Sequence, residues 1–368
     1  MNLSIKSTMQ MFNLINIYPL LPYPFKVVAA TGKGFILNSI RYDKYTDRMV
    51  EEALSRESWT PLQWQNWQLE NLSRVLHQAA REVPYYRRHW ELKRRNGDRS
   101  SIELLENWPI LTKDLLHDNP QLFISDKANK NSQIVEHTSG TTGTPLTIYL
   151  SKNAVRKWYA LAEARWRNWY GFSRHDRWGI IGGQMVTHFS RTRPPFWVWN
   201  SSLNQLYLSS YHLSQKNIPD YIEAIRQHRL VYLLGYASSL ATLAQFAIEL
   251  NIPMPKLKAV ISNAEPLYSH QRETIAQAFK CPVYNTYGLS ENVCAASECA
   301  LGQMHLWPEV GVIEIIEDEC DAPVKPGDVG RVICTGFLNE TMPLIRDQVG
   351  DRASLADGSN SCPCGRHM

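Results

Sequence analysis

Helix and strand patterns alternate three times between residues 219 and 291, and this alternation limits the fold more than any other feature of the chain. Strands that are separated by helices form parallel sheets through right-handed crossovers. The sequence therefore predicts an α/β fold. The predicted helices lie at 219–228, 238–250 and 269–279, and the predicted strands at 231–234, 257–261 and 282–285.

Three loops leave the carboxyl ends of these strands, at 235–239, 262–266 and 286–291. Ligands of parallel sheets bind outside those ends, so we expect the three loops to meet at one cleft. In the third loop, Tyr287 can stack on a base and Glu291 can hold Mg²⁺. The same residues also suit an ordinary strand-exit turn, and both interpretations stay open.

A turn rich in serine and threonine lies between two short stretches that are predicted to be extended. Its glycines allow positive φ and close approach to a ligand, and its hydroxyls can donate to phosphate oxygens. The P-loop of motor proteins and GTPases is excluded, because no Gly-Lys-Ser/Thr precedes a helix. An anion-binding loop and a plain β-turn remain as alternatives. The turn consists of Ser139, Gly140, Thr141, Thr142, Gly143, Thr144 and Pro145.

The regions on both sides of the α/β segment have other patterns. Apolar residues recur at helical spacing between 60 and 95 and again between 153 and 170. The second stripe is aromatic, which is more typical of a packed core than of a cofactor site. After residue 309, short alternating strands are predicted at 312–317 and 329–334.

Composition excludes several classes of protein. The 368 residues suit one large domain or two or three subdomains, and the net charge of +4 gives no case for a nucleic-acid partner. The apolar stretch 9–30 is interrupted by prolines and has no cleavage pattern, so it predicts neither a secretory signal nor a transmembrane segment. Seven cysteines, an odd number, favour a reduced, cytoplasmic setting over a disulfide framework.

Four residues near the end of the chain have the types that bind zinc. Two halves of this set are distant in sequence, so a zinc site and buried free thiols stay open as alternatives. The set is Cys299, His305, Cys362 and Cys364. The other cysteines are predicted to be small core residues; they are Cys281, Cys294, Cys320 and Cys334.

An acidic residue, Asp351, follows Gly350 and the extended segment 342–346. A carboxylate in such a place can accept both hydroxyls of a ribose. A plain Gly-Asp turn is the alternative.

Taken together, these motifs occur in the order seen in adenylate-forming enzymes, and the chain resembles the phenylacetate-coenzyme A ligase and CapK-like branch of the AMP-dependent synthetase and ligase superfamily. The resemblance implies the large α/β domain of such an enzyme, with mostly parallel sheets covered by helices and a small β-rich C-terminal part. The matching segments are 139–145, 263–266, 287–291, 343–346 with 350–351, and 362–366.

The resemblance also implies a division of the chain. Residues 1–110 would be an N-terminal helical region packed on the core, 111–308 the α/β nucleotide-binding core, and 309–368 a β-rich end with a cysteine-rich zinc-binding tail. By the same resemblance, the C-terminal lid domain, which in the family carries the lysine for adenylation, would follow Arg366 and is expected to be absent from this sequence. A fragment, a lid supplied from elsewhere and lost catalysis are the alternatives.

The reaction implied by the resemblance joins a small carboxylic acid to coenzyme A or an amine. MgATP activates the carboxylate as an acyl-adenylate with release of pyrophosphate, and the acceptor then takes the acyl group. Metal, hydroxyls and amide dipoles would screen the two anions during attack at the α-phosphorus. The CapK-like branch also implies an association with capsular polysaccharide biosynthesis. The expected cofactors are ATP, Mg²⁺, coenzyme A as acceptor and a structural zinc ion.

Residue roles follow from the same resemblance. Glu291, Ser290 and Thr142 are the expected catalytic residues, with Glu291 also the Mg²⁺ ligand and Asp351 the ribose ligand. The four zinc-type residues would form a closed site that braces the fold. The expected nucleotide-binding residues are Ser139, Gly140, Thr141, Thr142, Gly143, Thr144, Asn263, Ala264, Glu265, Tyr287, Gly288 and Asp351.

Two departures from the family pattern affect these expectations. Thr144 stands where the family usually has lysine, so the phosphate loop has one positive charge fewer. Asp347-Gln348-Val349 replaces the usual Tyr-Arg-Thr before Gly350. A nucleotide-binding module without turnover, and an adenylyltransferase acting on a cofactor or sugar acceptor, are therefore kept as alternative functions.

Overall fold

The computed structural model describes residues 18–138, 145–356 and 362–368. No helix in these ranges is long and apolar enough to cross a membrane. The α-helices in the same ranges are α1 (Tyr23–Arg41), α2 (Thr46–Ser55), α3 (Pro61–Glu82), α4 (Pro84–Arg95), α5 (Lys113–Asp118), α6 (Lys152–Ala162), α7 (Ile218–Gln227), α8 (Ala237–Glu249) and α9 (Ser269–Phe279).

The strands of the described residues fall into one larger parallel group and several antiparallel pairs. In chain order they are β1 (Ile134–His137), β2 (Thr147–Leu150), β3 (Trp178–Gly182), β4 (Trp197–Asn200), β5 (Gln205–Ser209), β6 (Tyr232–Gly235), β7 (Ala259–Ser262), β8 (Val283–Gly288), β9 (Ala295–Glu298), β10 (Met304–Leu306), β11 (Gly311–Ile316), β12 (Gly330–Gly336) and β13 (Asp347–Ala353).

The chain forms two compact units. Among the described residues, unit 1 comprises those up to 39 together with 166–286, and unit 2 comprises 40–165 and 287–368. The division into three parts at residues 110 and 308 stays a prediction.

Unit 1 contains the sheet that the alternating pattern predicts. Its strand order is β8-β7-β6-β3-β5-β4, and all neighbours are parallel except β4 and β5. Helices α7, α8 and α9 bury Ile222, Leu243 and Ile275 in the same apolar core as Val260 of β7. The predicted helices and strands between 219 and 285 overlap the observed ones, so the α/β fold class is confirmed.

The sequence patterns do not predict α1 or the strands β3, β4 and β5. In α1, Pro24 lies in the first turn, where a proline has no helical hydrogen bond to lose. The helix can therefore continue to Arg41 in spite of the prolines before it. Strand β4 makes the sheet mixed, because it runs antiparallel to β5.

Unit 2 contains α2 to α6, the hairpins β1–β2 and β9–β10, and the antiparallel sheet β11-β12-β13. Helix α3 begins with a capping box, in which the main-chain N–H of Thr60 donates to the Gln63 side chain at 2.9 Å and the Thr60 hydroxyl accepts from the Gln63 main chain. Leu76 and Trp108 lie in the apolar core of unit 2. The predicted helices between 60 and 95 and the β-rich end after 309 are confirmed.

The stretch 153–170, predicted as one helix, changes geometry half-way. Helix α6 ends at Ala162 and is followed by a π-helical turn, Glu163–Arg167, and a 3₁₀ turn, Asn168–Tyr170. The prediction of a single regular helix is therefore wrong beyond Ala162. Apolar spacing cannot reveal the change, because a π-helical turn shifts the register by only one residue.

Candidate active site

The predicted phosphate loop is flanked by a hairpin. Strands β1 and β2 are antiparallel, and the Thr138 N–H donates to the Leu146 carbonyl oxygen at 3.0 Å while the Leu146 N–H donates to the Thr138 hydroxyl at 2.9 Å. The two extended stretches expected on either side of the loop are thus confirmed. The loop itself, Ser139, Gly140, Thr141, Thr142, Gly143 and Thr144, lies outside the described residues. Its role in phosphate binding stays a prediction.

Three acidic residues of unit 2, which we call the carboxylate cluster, lie close together: Glu291, Asp347 and Asp351. Glu291 is 5% exposed and Asp347 is 1% exposed, whereas Asp351 is exposed. The Tyr287 hydroxyl donates to Asp351 Oδ2 at 2.7 Å, which joins the end of β8 to β13. Two of the predicted site residues, Tyr287 and Asp351, are therefore in direct contact.

Burial and mutual repulsion change the acidity of the cluster. Burial raises the pKa of Asp347 to about 8, the Glu291 carboxylate raises it as well, and the ammonium of Lys113 opposes the shift. Burial also raises the pKa of Glu291, with Asp351 acting in the same direction and Lys113 against it. The two buried carboxylates therefore lack the positive charge that would fully stabilise both in the ionised form.

Asp347 has no hydrogen-bond partner for either carboxylate oxygen among the described residues. Buried carboxylates in native proteins nearly always have partners, so an unpartnered one indicates a missing ligand. Mg²⁺ binds carboxylate oxygens and removes the repulsion between neighbouring acids. Glu291 and Asp347 therefore fit a magnesium ion.

Sequence reasoning found Glu291 but missed Asp347 and Lys113. In the sequence, Asp347 stands out only because it differs from the family pattern. Nothing in the neighbouring residues indicates that its side chain is buried. Lys113 begins the short helix α5, far from the cluster in sequence. Its Nζ lies 3.5 Å from the position that a Cβ on Gly350 would occupy.

The turn that carries Glu291 and Ser290 has a simple geometry. The Asn292 N–H donates to the Leu289 carbonyl at 3.1 Å, and Asn292 has a φ of 56°. Within this turn the Ser290 side chain is exposed and the Glu291 side chain is buried. The two predicted catalytic residues thus face different surroundings.

Gly288 packs closely against the ring of Trp158. A Cβ there would lie 3.2 Å from the ring of Trp158 on α6, closer than most real Cβ contacts. Trp158 also packs on Trp307, with ring centroids 5.7 Å apart. The aromatic face of α6, interpreted as core, therefore borders the predicted nucleotide-binding residue Gly288.

In unit 1, two of the three predicted loops, 235–239 and 262–266, contact each other, while the meeting of all three at one cleft stays a prediction. The Asn263 N–H donates to the Gly235 carbonyl at 3.0 Å, and the Thr286 hydroxyl donates to the Ser262 carbonyl at 3.2 Å. Glu265 accepts from the Ser238 N–H at the start of α8 at 2.9 Å. A carboxylate at that position caps the helix, which gives Glu265 a structural function within unit 1. The expected contacts of Asn263, Ala264 and Glu265 with adenine stay a prediction.

The zinc-type residues come together in unit 2. The ligand atoms of Cys299, His305, Cys362 and Cys364 all lie within 4.8 Å of one another. Hairpin β9–β10 places Cys299 and His305 near each other, because Glu298 pairs with Met304. Cys364 Sγ lies 3.3 Å from His305 Nε2, and His305 Nδ1 lies 2.9 Å from a main-chain oxygen of Met368. A donor set of three thiols and one imidazole fits tetrahedral zinc.

The remaining cysteines only partly agree with the prediction of a core position. Cys294 and Cys334 are buried, Cys281 is partly buried, and Cys320 is exposed. For Cys320 the prediction is wrong. It lies in the turn between β11 and β12, where its thiol contacts the Glu317 carboxylate at 3.0 Å instead of apolar residues.

The sequence of the chain matches a known enzyme family over most of its length. The AMP-binding enzyme family matches residues 73–339. The chain belongs to this family. CapK of Staphylococcus aureus is 26% identical over 340 residues, which cover 92% of this chain and 72% of CapK. A phenylacetate-coenzyme A ligase of Thermus thermophilus is 25% identical over 335 residues, which cover 86% of this chain and 69% of the ligase.

Solved structures of this family share the fold. A 2-hydroxyisobutyryl-CoA ligase, crystallised in the postadenylation state with R3-HIB-AMP, matches with a TM-score of 0.64 and 20% identity over 84% of this chain and 67% of that chain. An open conformation of the same ligase with 2-HIB-AMP and CoA gives a TM-score of 0.62. The family resemblance and the fold class are both confirmed.

Proposed function

We propose that this AMP-binding family member activates a carboxylic acid with MgATP as an acyl-adenylate and passes the acyl group to coenzyme A or an amine. The observation that carries the proposal is the buried, unpartnered carboxylate of Asp347 beside Glu291. A cation bound between these two acids would offset their mutual repulsion, and MgATP, the substrate of this reaction, brings such a cation.

The reaction has two steps. A carboxylate oxygen of the acid attacks the α-phosphorus of ATP, and the bond to the bridging oxygen breaks so that pyrophosphate leaves. The thiolate of coenzyme A, or an amine, then attacks the acyl carbon, and AMP leaves with the bonding electron pair. Both steps concentrate negative charge, which positioned dipoles and cations stabilise.

The residues of unit 2 take the following roles in this proposal. Glu291 and Asp347 hold Mg²⁺, which neutralises phosphate charge when bound. Asp351, oriented by Tyr287, accepts the ribose hydroxyls. Lys113 supplies a cation near the cluster, and Ser290, exposed on its turn, donates to the α-phosphate.

The biological setting is part of the same proposal. The similarity to CapK supports a role in capsular polysaccharide biosynthesis. The odd number of cysteines, all of them free in the described residues, supports a cytoplasmic location.

Exchange of labelled pyrophosphate into ATP, run over a panel of aryl and acyl acids, tests the proposal. We expect exchange with at least one acid, and a fall of about 10-fold or more in Glu291→Gln, because a charged metal ligand is lost. Glu319→Gln, at an exposed position of the β11–β12 turn, is the matched control and should exchange like wild type.

Absence of exchange with every acid would contradict the proposal. If calorimetry then shows ATP or AMP binding, the chain is a nucleotide-binding module without turnover. An AMP increment on a product, seen by mass spectrometry, would instead assign an adenylyltransferase.

We also propose that the cluster of Cys299, His305, Cys362 and Cys364 holds a structural zinc ion. Metal analysis of the purified protein should give one zinc per chain, and Cys364→Ser should lose it, because a thiolate ligand is removed. Cys320→Ser, an exposed thiol outside the cluster, should keep its zinc. Equal zinc content in the two variants would rule the site out.

A further inference from the structure

A cavity of about 290 Å³ in unit 2 lies apart from the carboxylate cluster. Three helices line it with residues at helical spacing: Arg48 and Glu52 from α2, Trp67, Asn71 and Arg74 from α3, and Lys157 and Leu161 from α6. Arg56, Glu309 and Phe337 also line the cavity.

The charges of the lining do not cancel. Arg48 pairs with Glu52 at 3.4 Å, and Arg56 pairs with Glu309 at 3.2 Å. Within the described ranges, Arg74 donates only to the neutral Asn71 side chain, at 3.2 Å. Lys157 has no ion pair or hydrogen bond of its side chain among the described residues. Two cations of the cavity, Arg74 and Lys157, are therefore left without a bonded anion.

Lys157 is in an unfavourable environment for a cation. Burial lowers the pKa of its ammonium, and the neighbouring Arg74 lowers it further, against the opposite effect of Glu340. A dianion in the cavity would stabilise the charged form of Lys157 and so oppose the effects of burial and of Arg74. Phosphate monoesters carry about −1.5 to −2 charges at pH 7, which matches two unpaired cations.

Glu309 supplies a second kind of polar group. Its side chain is 3% exposed, and Oε2 has no hydrogen-bond partner among the described residues, although Oε1 is held by Arg56 and Arg165. Since the carboxylate charge is already balanced, the free oxygen does not require another cation. It can accept a hydrogen bond from a hydroxyl.

The apolar part of the cavity consists of flat and branched side chains. Trp67 and Phe337 meet edge to face with ring centroids 6.1 Å apart, and Leu161 lies on the α6 side. Such a surface contacts the C–H face of a ring, while the polar groups reach its substituents.

We propose that this cavity binds a phosphate monoester of a hydroxylated, sugar-like ring, with the phosphate on Lys157 and Arg74, a ring hydroxyl on Glu309, and the ring on Trp67. The cavity shares no lining residue with the carboxylate cluster, so the proposal adds a second ligand to the molecule and does not depend on the proposed ligase activity.

Isothermal titration of the full chain with glucose 1-phosphate, inorganic phosphate, glucose and phenyl phosphate tests the proposal. We expect glucose 1-phosphate to bind most tightly, because it alone offers both the dianion and the hydroxyls. Lys157→Met and Arg74→Met should each weaken its binding about 10-fold or more, the range found for charge-assisted hydrogen bonds. Lys152→Met, an exposed cation on the same helix that does not line the cavity, should bind like wild type.

The proposal would be overturned by no saturable binding of glucose 1-phosphate, by equal binding to Lys157→Met and Lys152→Met, or, as the third such result, by binding that saturating ATP abolishes. The third result would place the sugar phosphate at the nucleotide site. Phenyl phosphate binding as tightly as glucose 1-phosphate would overturn the assignment of a hydroxylated ring. Arg74 is exposed, so Arg74→Met keeps the test valid even if Lys157→Met fails to fold.

Discussion

The two units differ in what they bury. In unit 1, the apolar core includes Leu233, Leu240 and Val260, all fully buried, and the buried polar residues are mostly neutral, such as Asn200 and Gln205. A buried cation there, Lys26, donates to the Thr187 hydroxyl at 2.7 Å, and burial lowers its pKa to about 8. Among its described residues, unit 2 buries a larger number of ionisable side chains; they are Glu163, Arg165, Glu291, Glu298, His305, Glu309, Arg346 and Asp347.

Within unit 2, the buried charges separate into two kinds. Arg165 pairs with Glu309, and Arg346 pairs with Glu314 at 3.1 Å. Asp347 has no such partner. The paired charges contribute to the packing of unit 2. An unpartnered buried carboxylate destabilises the fold, and such a group is expected at a ligand-binding site.

The largest effect expected from this comparison is that of Arg165→Met. Removing one partner of a buried ion pair leaves Glu309 with less compensation, which should lower the free energy of unfolding by about 3–5 kcal/mol. Urea denaturation measures the change. The double variant Arg165→Met/Glu309→Leu should recover at least half of the loss, since both fully buried charges are removed and the groups that lose a partner, Arg56 and Glu57, are partly exposed. If the single and double variants are equally unstable, packing and not charge explains the role of Arg165.

A core truncation in unit 1 provides the apolar counterpart. Leu240→Ala should lower the free energy of unfolding by about 2–5 kcal/mol through lost burial and a residual cavity. The loss should be the same at pH 5 and pH 8, because no titrating group is involved. Leu250→Ala, at an exposed position just beyond α8, is the control and should change stability little. A strongly pH-dependent loss in Leu240→Ala would contradict the contrast between the units.

The raised pKa of Asp347 gives the next largest effect. In the unfolded chain the Asp347 carboxyl ionises near pH 4, whereas in the folded protein it keeps its proton until about pH 8. The free energy of unfolding therefore falls as the pH rises between these two values. Between pH 5 and pH 7 the loss is up to about 2.7 kcal/mol, one proton over two pH units. Asp347→Asn should remove most of this slope in denaturation curves.

Two comparisons make the Asp347 experiment decisive. Asp118→Asn, at an exposed position, should keep the wild-type slope. Mg²⁺ should raise the unfolding midpoint of the wild type more than that of Asp347→Asn. An unchanged pH slope in Asp347→Asn would show that this carboxyl is not a buried, proton-binding group.

The smallest expected effect is at the capping box of α3. Thr60→Ala removes the side-chain acceptor for the Gln63 N–H and should cost about 1 kcal/mol. Thr60→Ser keeps the hydroxyl and should restore stability, as measured by thermal unfolding. If Ser and Ala behave alike, the cap contributes nothing and unit 2 depends on its buried charges and core alone.

Much of the fold could be predicted because its signals are local. A helix such as Ser269–Phe279 follows from apolar spacing and a polar start, and the prediction gave both ends. The π-helical turn after Ala162 could not be predicted, because no local pattern distinguishes it from a continuing α-helix. Helix α1 is not predicted because prolines generally interrupt helices. Pro24, however, lies in the first turn of the helix, where proline is tolerated.

The candidate site was only partly predictable. Tyr287, Glu291 and Asp351 follow from the family pattern, and the contact between Tyr287 and Asp351 agrees with a shared site. Asp347 and Lys113 do not follow from it, since their importance depends on which charges surround them. The cysteine and histidine set was predicted by residue type, and the structure adds the proximity of its two halves.

The sequence by itself determined the α/β class of this protein, the order of the helices and strands between residues 219 and 285 and its membership of the AMP-binding enzymes, because periodicity and motifs act over a few residues. Only the tertiary structure decided which charges are buried together. Arg165 and Glu309 are 144 positions apart, and the carboxylate cluster draws on β13 and the turn between β8 and β9. The energy of a charge depends on its neighbours in space, and chain folding alone brings those neighbours together.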